Sequence, residues 1–416
     1  MNMMIEEKKV TNIRLLIPFY GFWLIVILPK SLQLIALVLI IAMLINKRAN
    51  KGNIISLILL SYIIIYISSS IINAIAFEHE FERLLAGLNT IAIWIIALIY
   101  FQVFLNNVLP IEKLKKIIFF NFFVLFCLYI CTFIMHNLMG MAEFKFMGNL
   151  LFSSSWYEGA EEIRFRGFLE YPNLVPLLSM MFVPFIFNYF SKAKFPYVKT
   201  LCLSVCILVM VNASLSRSGL VAICIGFLLF ILNFFANKNI KVFIIVVSFL
   251  LALALSVLYF FNGFGAIQDA FSQLATAREG SNMTRGNIYQ SSIKRAFEYS
   301  PLVGMGIKDV SPYDNLPYGS HSTYIGFFYK TGFIGFFIGL VLFVFINLKV
   351  YLQSKLYFTN NTIRLFVYMF FAISLMITFE DIDGSNWLLV FYFSILGIIL
   401  NKENWRSLNE NLFSDV

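Results

Sequence analysis

Long apolar runs separated by short polar breaks make up most of the chain. Each run approaches the roughly 20 residues that a helix needs to cross a bilayer. We therefore predict twelve transmembrane helices, and the splits at Pro29 and at 216–218 leave open whether each flanking pair is one broken helix. The predicted spans are 13–29, 31–45, 54–76, 84–105, 117–138, 171–190, 200–216, 218–236, 242–262, 322–347, 363–380 and 386–400.

The composition agrees with this pattern. Apolar residues make up 60% of the 416 residues and charged residues 13%, whereas a soluble domain has about 45–50% and about 25%. The sequence predicts an all-α, polytopic integral membrane protein in which residues 1–416 form a single transmembrane domain. All five cysteines lie inside apolar runs, which indicates neither a disulfide framework nor a metal knuckle. The N-terminal residues show no cleavage site of a removable signal peptide.

The net charge of +9 is explained by membrane orientation without invoking nucleic acid. When the spans alternate, 19 of the 31 Lys and Arg residues fall on the side that carries both termini. The positive-inside rule makes that side cytoplasmic. The longest connections, 139–170 and 263–321, then lie outside, and their unusual length indicates that function resides there.

The first external loop ends in a cationic motif, Arg164-Phe-Arg166-Gly-Phe-Leu-Glu-Tyr-Pro172-Asn. Proline suits the first turn of a helix, and a helix N-terminus attracts anions. Two arginines beside such a terminus form a plausible diphosphate cradle, because guanidinium groups bind phosphate in a bidentate manner. The alternative is that these arginines only anchor the helix to lipid headgroups.

Arg217 lies between two apolar runs in the stretch Ser-Leu-Ser-Arg-Ser-Gly, residues 214–219. A buried arginine in a membrane is costly, so an anionic partner is expected. The alternative is an arginine that snorkels at a loop tip.

His321 ends the long external loop, and Lys330 lies deeper in the following span. Histidine is well suited to removing a proton from a hydroxyl near neutral pH. A polar interfacial role is the alternative for His321, and we interpret His79 and His136 as solvated or interfacial residues.

The long loop also contains Ile293, Ala296 and Phe297, whose spacing predicts a short amphipathic helix on the membrane surface that could act as a lid. No nucleotide-binding or metalloprotease motif is present in the sequence, and no metal site is predicted. The carboxylates at 380–383 are the one cluster that could bind a metal. They could instead pair with an external arginine or bind sugar hydroxyls.

Five motifs occur in a set order: R-x-x-G-x-x-x-x-P-N (164–173), S-x-S-R-S-G (214–219), R-x-x-x-Y with P-L-V-G-M-G (285–306), S-H-S-T-Y-I (320–325) and K-T-G-F-I-G (330–335). This order resembles that of the O-antigen ligase and O-antigen polymerase superfamily, over about residues 160–340.

The resemblance implies a GT-C-like, metal-independent, inverting glycosyltransferase that needs no cofactor and uses a glycan on undecaprenyl diphosphate as donor. It places Arg164 and Arg217 on the diphosphate and His321 near the acceptor, as catalytic residues. Further residues of the same motifs are predicted to bind substrate: Arg166, Arg285, Glu170, Asn173, Tyr324 and Lys330.

We favour a polymerase of lipid-linked repeat units in the bacterial inner membrane, with the active site facing the periplasm. An O-antigen ligase that transfers the glycan to lipid A-core is the alternative. A transporter of the same lipid is disfavoured, because the spans are nearly free of charge. The expected partners are the undecaprenyl-diphosphate-linked oligosaccharide, membrane lipid, and a chain-length regulator and flippase of the same pathway, with no nucleic acid.

Overall fold

The protein is mainly helical in the computed structural model, which describes residues 13–44, 52–154, 163–191, 193–236, 279–311, 317–355 and 361–404. Two 3-10 turns, Arg14–Leu16 and Ile382–Gly384, accompany the helices. The α-helices are α1 (Ile17–Tyr20), α2 (Phe22–Ile27), α3 (Lys30–Leu44), α4 (Ile54–Ala76), α5 (Phe81–Asn106), α6 (Ile111–Asn137), α7 (Leu174–Ser191), α8 (Pro196–Ala213), α9 (Arg217–Ala236), α10 (Glu279–Tyr299), α11 (Thr323–Lys355), α12 (Asn361–Met376) and α13 (Asn386–Leu400).

The helices agree in position with eleven of the predicted spans, and the predicted span 242–262 lies outside the described residues. Five helices, α4, α5, α6, α7 and α11, are long and apolar enough to cross a membrane, and five shorter apolar helices accompany them. The chain is thus a polytopic, membrane-embedded protein, while the count of twelve spans stays a prediction.

Both uncertain splits separate distinct helices. Helix α2 ends before Pro29, and three residues separate the end of α8 from the start of α9. Ser216 caps the second of these helices, because its Oγ accepts a hydrogen bond from the backbone N–H of Gly219 at 3.3 Å. A Cβ atom at Gly219 would collide with the ring of Pro176 in α7. Glycine in the Ser-Arg-Ser-Gly motif therefore lets α9 start directly against α7.

Helix α13 forms the centre of the bundle, since all of its residues are buried. Its packing against α5 depends on Gly397, where an added Cβ would lie 2.7 Å from the carbonyl oxygen of Phe101. On another face, Phe391 contacts the ring of Phe22 at a centroid distance of 4.9 Å. This rigid centre carries the segment that precedes α13 and enters the site described below.

A three-stranded antiparallel sheet interrupts the helices, with strands β1 (Phe144–Phe146), β2 (Asn149–Ser154) and β3 (Ile163–Phe165) in the order β1-β2-β3. The all-α prediction is therefore incomplete, because the connection 139–170 contains strands. Phe152 pairs with Phe165, and both are buried, whereas the neighbouring pair is Ser153 with Arg164. This alternation is the strand signal, but it spans too few residues to stand out in the sequence.

Helix α10 confirms the predicted helix in the long loop, although it is longer than expected. Ile288, Ser292 and Ala296 are fully buried, at spacings of four residues. The Oγ of Ser292 accepts a hydrogen bond from the backbone N–H of Gly319. Ile293 and Phe297 lie outside this buried stripe and are 43% and 58% exposed, and their contact with the membrane surface stays a prediction.

Helix α11 is broken at Gly332, where φ is 60° and ψ is −161°. Segment 301–306 fills the break. The backbone N–H of Gly306 donates to the Lys330 carbonyl at 2.9 Å, and the N–H of Phe333 donates to the Pro301 carbonyl at 2.8 Å. The motifs P-L-V-G-M-G and K-T-G-F-I-G therefore form one unit, in which a loop satisfies the backbone groups that the break releases.

Candidate functional site

A cavity of about 820 Å³ opens where the connections between helices meet. The α6–α7 and α12–α13 connections line it, together with residues of α4, α5 and α10, the first residue of α3 and the segment that leads to α11. Alternate connections of a bundle lie at the same end. The polar lining comprises Lys30, Tyr66, Arg83, Asn89, Thr90, Arg164, Arg166, Glu170, Tyr171, Asn173, Thr284, Arg285, Lys308, Ser320, His321, Glu380, Asp381, Asp383 and Asn386.

Six of the nine residues predicted from the sequence line this one cavity. They come from three separate motifs, which the fold brings together from positions up to 157 residues apart in the chain. These six residues are Arg164, Arg166, Glu170, Asn173, Arg285 and His321.

The carboxylate of Glu380 joins these motifs. Its Oε1 accepts hydrogen bonds from Asn173 Nδ2 at 2.7 Å, Ser218 Oγ at 3.1 Å and an Arg285 guanidinium nitrogen at 3.3 Å. Burial raises the pKa of Glu380, although Arg285 and the two neutral donors oppose this shift. Glu380 therefore connects the motifs at 164–173, 214–219 and 285–289, and its pairing with Arg285 confirms that a carboxylate of the 380–383 cluster pairs with an arginine.

Arg164 extends this network to the sheet. It projects from β3 and donates hydrogen bonds to Asn173 Oδ1 at 3.3 Å and to the Ser214 carbonyl at 3.4 Å. The Asn173 amide thus lies between the Arg164 guanidinium and the carboxylate of Glu380. Asn173 therefore connects Arg164 to Glu380 and holds this second guanidinium group at the cavity wall.

Arg166 and Glu170 occupy another part of the wall. Arg166 donates to the backbone carbonyl of Glu170 at 3.4 Å, and burial lowers the pKa of the guanidinium. The Glu170 carboxylate accepts from Ser385 Oγ at 2.6 Å and from the Trp387 indole at 3.0 Å. Burial raises the pKa of Glu170. Because its partners belong to the wall, Glu170 helps to fix the start of α13 as well as lining the cavity.

His321 lines the cavity in a left-handed backbone conformation, with φ at 64°. Non-glycine residues in this region are strained, and such strain tends to occur at functional sites. The Tyr289 hydroxyl donates to the His321 carbonyl at 2.6 Å and holds the turn. Burial, with Arg285 and Lys308 nearby, lowers the pKa of His321 to about 4. The imidazole is therefore neutral at neutral pH.

Two aspartates and two lysines form a buried cluster beside His321. Lys308 binds Asp381 at 2.5 Å and Asp383 at 3.5 Å, and Asp383 also pairs with Lys330. Burial opposes the charge of Asp383, but Lys330 and Lys308 outweigh it and hold its pKa well below the usual range. Burial and the neighbouring Asp383 raise the pKa of Asp381 to about 7. The pair therefore favours one proton on Asp381 near neutral pH.

The other three predicted residues do not line the cavity. Arg217 is half-buried at the first position of α9, next to Ser218, which reaches Glu380. The Tyr324 ring packs against Phe327 with a centroid distance of 6.3 Å. Lys330 is fully buried and reaches the site only through Asp383.

Sequence reasoning missed three cations of the lining, namely Lys30, Arg83 and Lys308. Each lies near a helix end or in a loop, in a stretch that matches none of the motifs identified in the sequence. Of the two alternatives for His79, solvated or interfacial, the solvated one is wrong, because its side chain is 1% exposed and its Nδ1 lies 2.8 Å from an Asp309 carboxylate oxygen. No spacing in the sequence links these two residues, which are far apart in the chain.

The charges of the lining favour an anionic ligand. Among the described residues, neither Arg83 nor Arg166 lies within salt-bridge distance of a carboxylate. The described part of the chain holds no group of three His, Cys, Asp or Glu side chains suited to a metal, and the metal-free reaction stays a prediction. Fixed guanidinium groups in a partly buried cavity are suited to binding phosphate and to stabilising a phosphate leaving group.

Comparison with known proteins agrees with this geometry. The family model described as O-antigen ligase matches residues 202–340, and no curated protein shows significant similarity to the chain. The matched region includes the Ser-Arg-Ser-Gly junction, Arg285, His321 and the broken helix, whereas Arg164 and Glu380 lie outside it and complete the same cavity. Residues 202–340 are therefore similar to the O-antigen ligase family, in agreement with the resemblance that the order of the sequence motifs indicated.

Proposed function

We propose that the protein is a glycosyltransferase that joins polyprenyl-diphosphate-linked repeat units into a surface polysaccharide. The observation that carries this proposal is the convergence of Arg164, Arg166 and Arg285 on one cavity with His321. The guanidinium groups supply positive charge for a diphosphate, and the cavity volume of about 820 Å³ accommodates sugar residues beside it.

In the proposed reaction the diphosphate of the donor lies against Arg164 and Arg285. Their fixed charges stabilise the negative charge that develops as the bond between the anomeric carbon and the diphosphate oxygen breaks. Glu380 holds Arg285 in place, and Asn173 holds Arg164. The neutral imidazole of His321 donates an N–H hydrogen bond to the oxygen of the acceptor hydroxyl and orients it toward the anomeric carbon.

The proposed location is the bacterial inner membrane, with the cavity facing the periplasm and both termini in the cytoplasm. The excess of Lys and Arg on the side that carries the termini supports this orientation. Placing the cavity outside gives it access to lipid-linked glycan on the outer leaflet. The proposed partners are that lipid, surrounding membrane lipid, and a chain-length regulator and flippase of the same pathway.

An O-antigen ligase is the second candidate function, because the matching family model carries that description. The two activities would share the donor and differ in the acceptor, which is a second lipid-linked repeat unit for a polymerase and lipid A-core for a ligase. Our preference for the polymerase rests on the stretches Glu170–Pro172 and Gly319–Tyr324 of the sequence.

The test is turnover of a lipid-linked repeat unit by the purified protein in detergent, in the presence of EDTA. We expect a ladder of longer glycans on the lipid, and loss of the ladder in Arg164→Ala. The matched control is Lys294→Ala, because Lys294 is 71% exposed on α10 and pairs only with its neighbour Glu298 among the described residues. Transfer to added lipid A-core without a ladder would identify a ligase, and activity that returns only with added magnesium or manganese would refute the metal-free mechanism.

A further inference from the structure

The three carboxylates of segment 380–383 have different surroundings, although all of them line the cavity. Glu380 accepts hydrogen bonds from three side chains on one oxygen. Asp383 accepts from Lys330, from the Trp94 indole and from Lys308. These two carboxylates therefore already accept several hydrogen bonds from side chains of the protein.

Asp381 is different. Its Oδ2 accepts a hydrogen bond from Lys308 at 2.5 Å, and its Oδ1 is buried without a hydrogen-bond partner among the described residues. An unpartnered buried oxygen is costly for a charged carboxylate, and the cost falls when the group takes up a proton. The side chain remains 12% exposed at the cavity wall. Protonation therefore stabilises the Asp381 carboxyl group in its surroundings.

Thr323 fixes the backbone on both sides of Asp381. Its Oγ1 donates to the carbonyl of Glu380 at 2.8 Å and accepts from the backbone N–H of Ile382 at 2.9 Å. Thr323 is buried in the first turn of α11, two residues after His321. A single hydroxyl group therefore couples the position of Asp381 to the His-Ser-Thr motif.

We propose that Asp381 is the general base for the acceptor hydroxyl and that Thr323 is the residue that positions it. This proposal rests on the glycosyl transfer described above and names the group that receives the proton. The acceptor proton moves to the Asp381 carboxylate while the hydroxyl oxygen bonds to the anomeric carbon. The bond between that carbon and the diphosphate oxygen breaks, the electron pair leaves on the diphosphate, and the proton is then released to water.

The acid–base properties of the cluster support the assignment. A general base is most effective when its pKa lies near the working pH, and the pKa of Asp381 is raised to about 7 by burial and Asp383. His321 is a weaker base, because burial and two cations lower its pKa to about 4. The titratable groups that interact with Asp381 from its own segment and from the neighbouring elements are Asp383, Lys308, Lys330, Tyr62, Tyr66, Tyr171 and Tyr289.

The test compares turnover and donor binding in Asp381→Asn with those of the wild type, using a lipid-linked repeat unit in detergent. We expect turnover to fall by about 10²-fold to 10⁴-fold, with donor affinity nearly unchanged. In the wild type the rate should rise with pH through an apparent pKa near 7. Lys308→Met should move this limb to higher pH, because it removes a cation that lowers the pKa of Asp381, and Asp381→Asn should abolish it.

Thr323 provides the second variant pair. Thr323→Val removes the hydroxyl at nearly constant volume and should lower turnover, whereas Thr323→Ser should restore most of the loss. Normal turnover in Asp381→Asn, or an unchanged pH limb in Lys308→Met, would overturn the assignment of the base. A wild type that binds but does not transfer the glycan would instead overturn the proposed glycosyl transfer, and this inference with it.

Discussion

Arg285 and Glu380 are 95 residues apart in the chain, and a guanidinium nitrogen of one lies 3.3 Å from a carboxylate oxygen of the other. The pair joins α10 to the connection between α12 and α13. Arg285 is 28% exposed through its side chain, whereas Glu380 is 8% exposed. The buried partner thus holds a cation that still faces the cavity.

Replacing Glu380 should weaken catalysis more than folding. Glu380→Gln keeps the shape of the side chain but removes the charge that orients Arg285. A hydrogen bond to a charged group contributes about 1.5–3 kcal/mol, so we expect turnover to fall by about 10-fold to 100-fold. The control is Glu298→Gln, since Glu298 is 54% exposed and pairs with Lys294. Equal rates for the two variants would contradict the role assigned to Glu380.

The glycines at the break in α11 should be intolerant of substitution. Gly304 and Gly332 have positive φ values, and a Cβ atom at either would collide with the backbone of the other segment. Strained backbone conformations cost about 1–3 kcal/mol each, to which the collision adds. We expect Gly304→Ala and Gly332→Ala to lower the melting temperature in detergent.

Gly286 is the matched control for these substitutions. It lies within α10, and no atom surrounds the position that its Cβ would take. Gly286→Ala should leave the melting temperature unchanged or raise it, because alanine favours a helix by about 1 kcal/mol over glycine. If Gly304→Ala melted at the same temperature as Gly286→Ala, the packing of segment 301–306 into the break of α11 would not contribute to stability.

The buried pair of Lys330 and Asp383 yields a prediction about folding. Removing one partner of a buried ion pair costs about 3–5 kcal/mol, because the remaining charge is left without compensation. Lys330→Met should therefore destabilise the protein strongly, although Lys308 also contacts Asp383. The double variant Lys330→Met with Asp383→Asn should recover part of the loss. Melting curves of the two single variants and the double variant measure this coupling, and additive losses would argue against it.

His321 should make stability depend on pH in a defined window. Its folded pKa of about 4 lies below the unfolded value of about 6.5. Between these values the unfolded chain binds more protons, so the contribution of His321 is full above pH 6.5 and is lost as the pH falls toward 4. The raised pKa of Asp381 has the opposite effect on stability as the pH falls. Because Asp381 is present in the wild type and in a His321 variant, its effect cancels when the two are compared.

The measurement is the melting temperature of wild type and His321→Gln between pH 4 and 7. The wild type should lose more stability than the variant as the pH falls through the window. Parallel curves would mean that His321 titrates near its ordinary pKa and is not held neutral by burial and its cationic neighbours.

The sequence predicted the positions of most helices because apolar runs of bilayer length have no other stable arrangement in a membrane. It also predicted six residues of the cavity, because the motifs that contain them resemble, in their order, those of a known glycosyltransferase superfamily. It did not predict Lys308 or Asp381 as site residues with roles. Their significance depends on contacts between segments more than 70 residues apart, which no local pattern encodes.

The three-stranded sheet and the break in α11 that segment 301–306 fills were also not predictable from local sequence patterns. β1 and β3 have three residues each, which is too short for an alternating pattern to be distinguished from an irregular loop. The P-L-V-G-M-G stretch gave no structural signal alone, because its role is to complete the hydrogen bonds of another helix. The close packing of Gly304 against Gly332 is apparent only in the folded structure.

The most direct test of the account is a structure of the protein with a lipid-diphosphate-linked repeat unit bound, determined in detergent or lipid nanodiscs without divalent cations. We predict that the diphosphate lies within hydrogen-bond distance of the guanidinium groups of Arg164 and Arg285, with the glycan extending toward His321 and Asp381. A diphosphate bound outside this cavity, with Arg164 still bound to Asn173 and Arg285 still bound to Glu380, would contradict the proposed function.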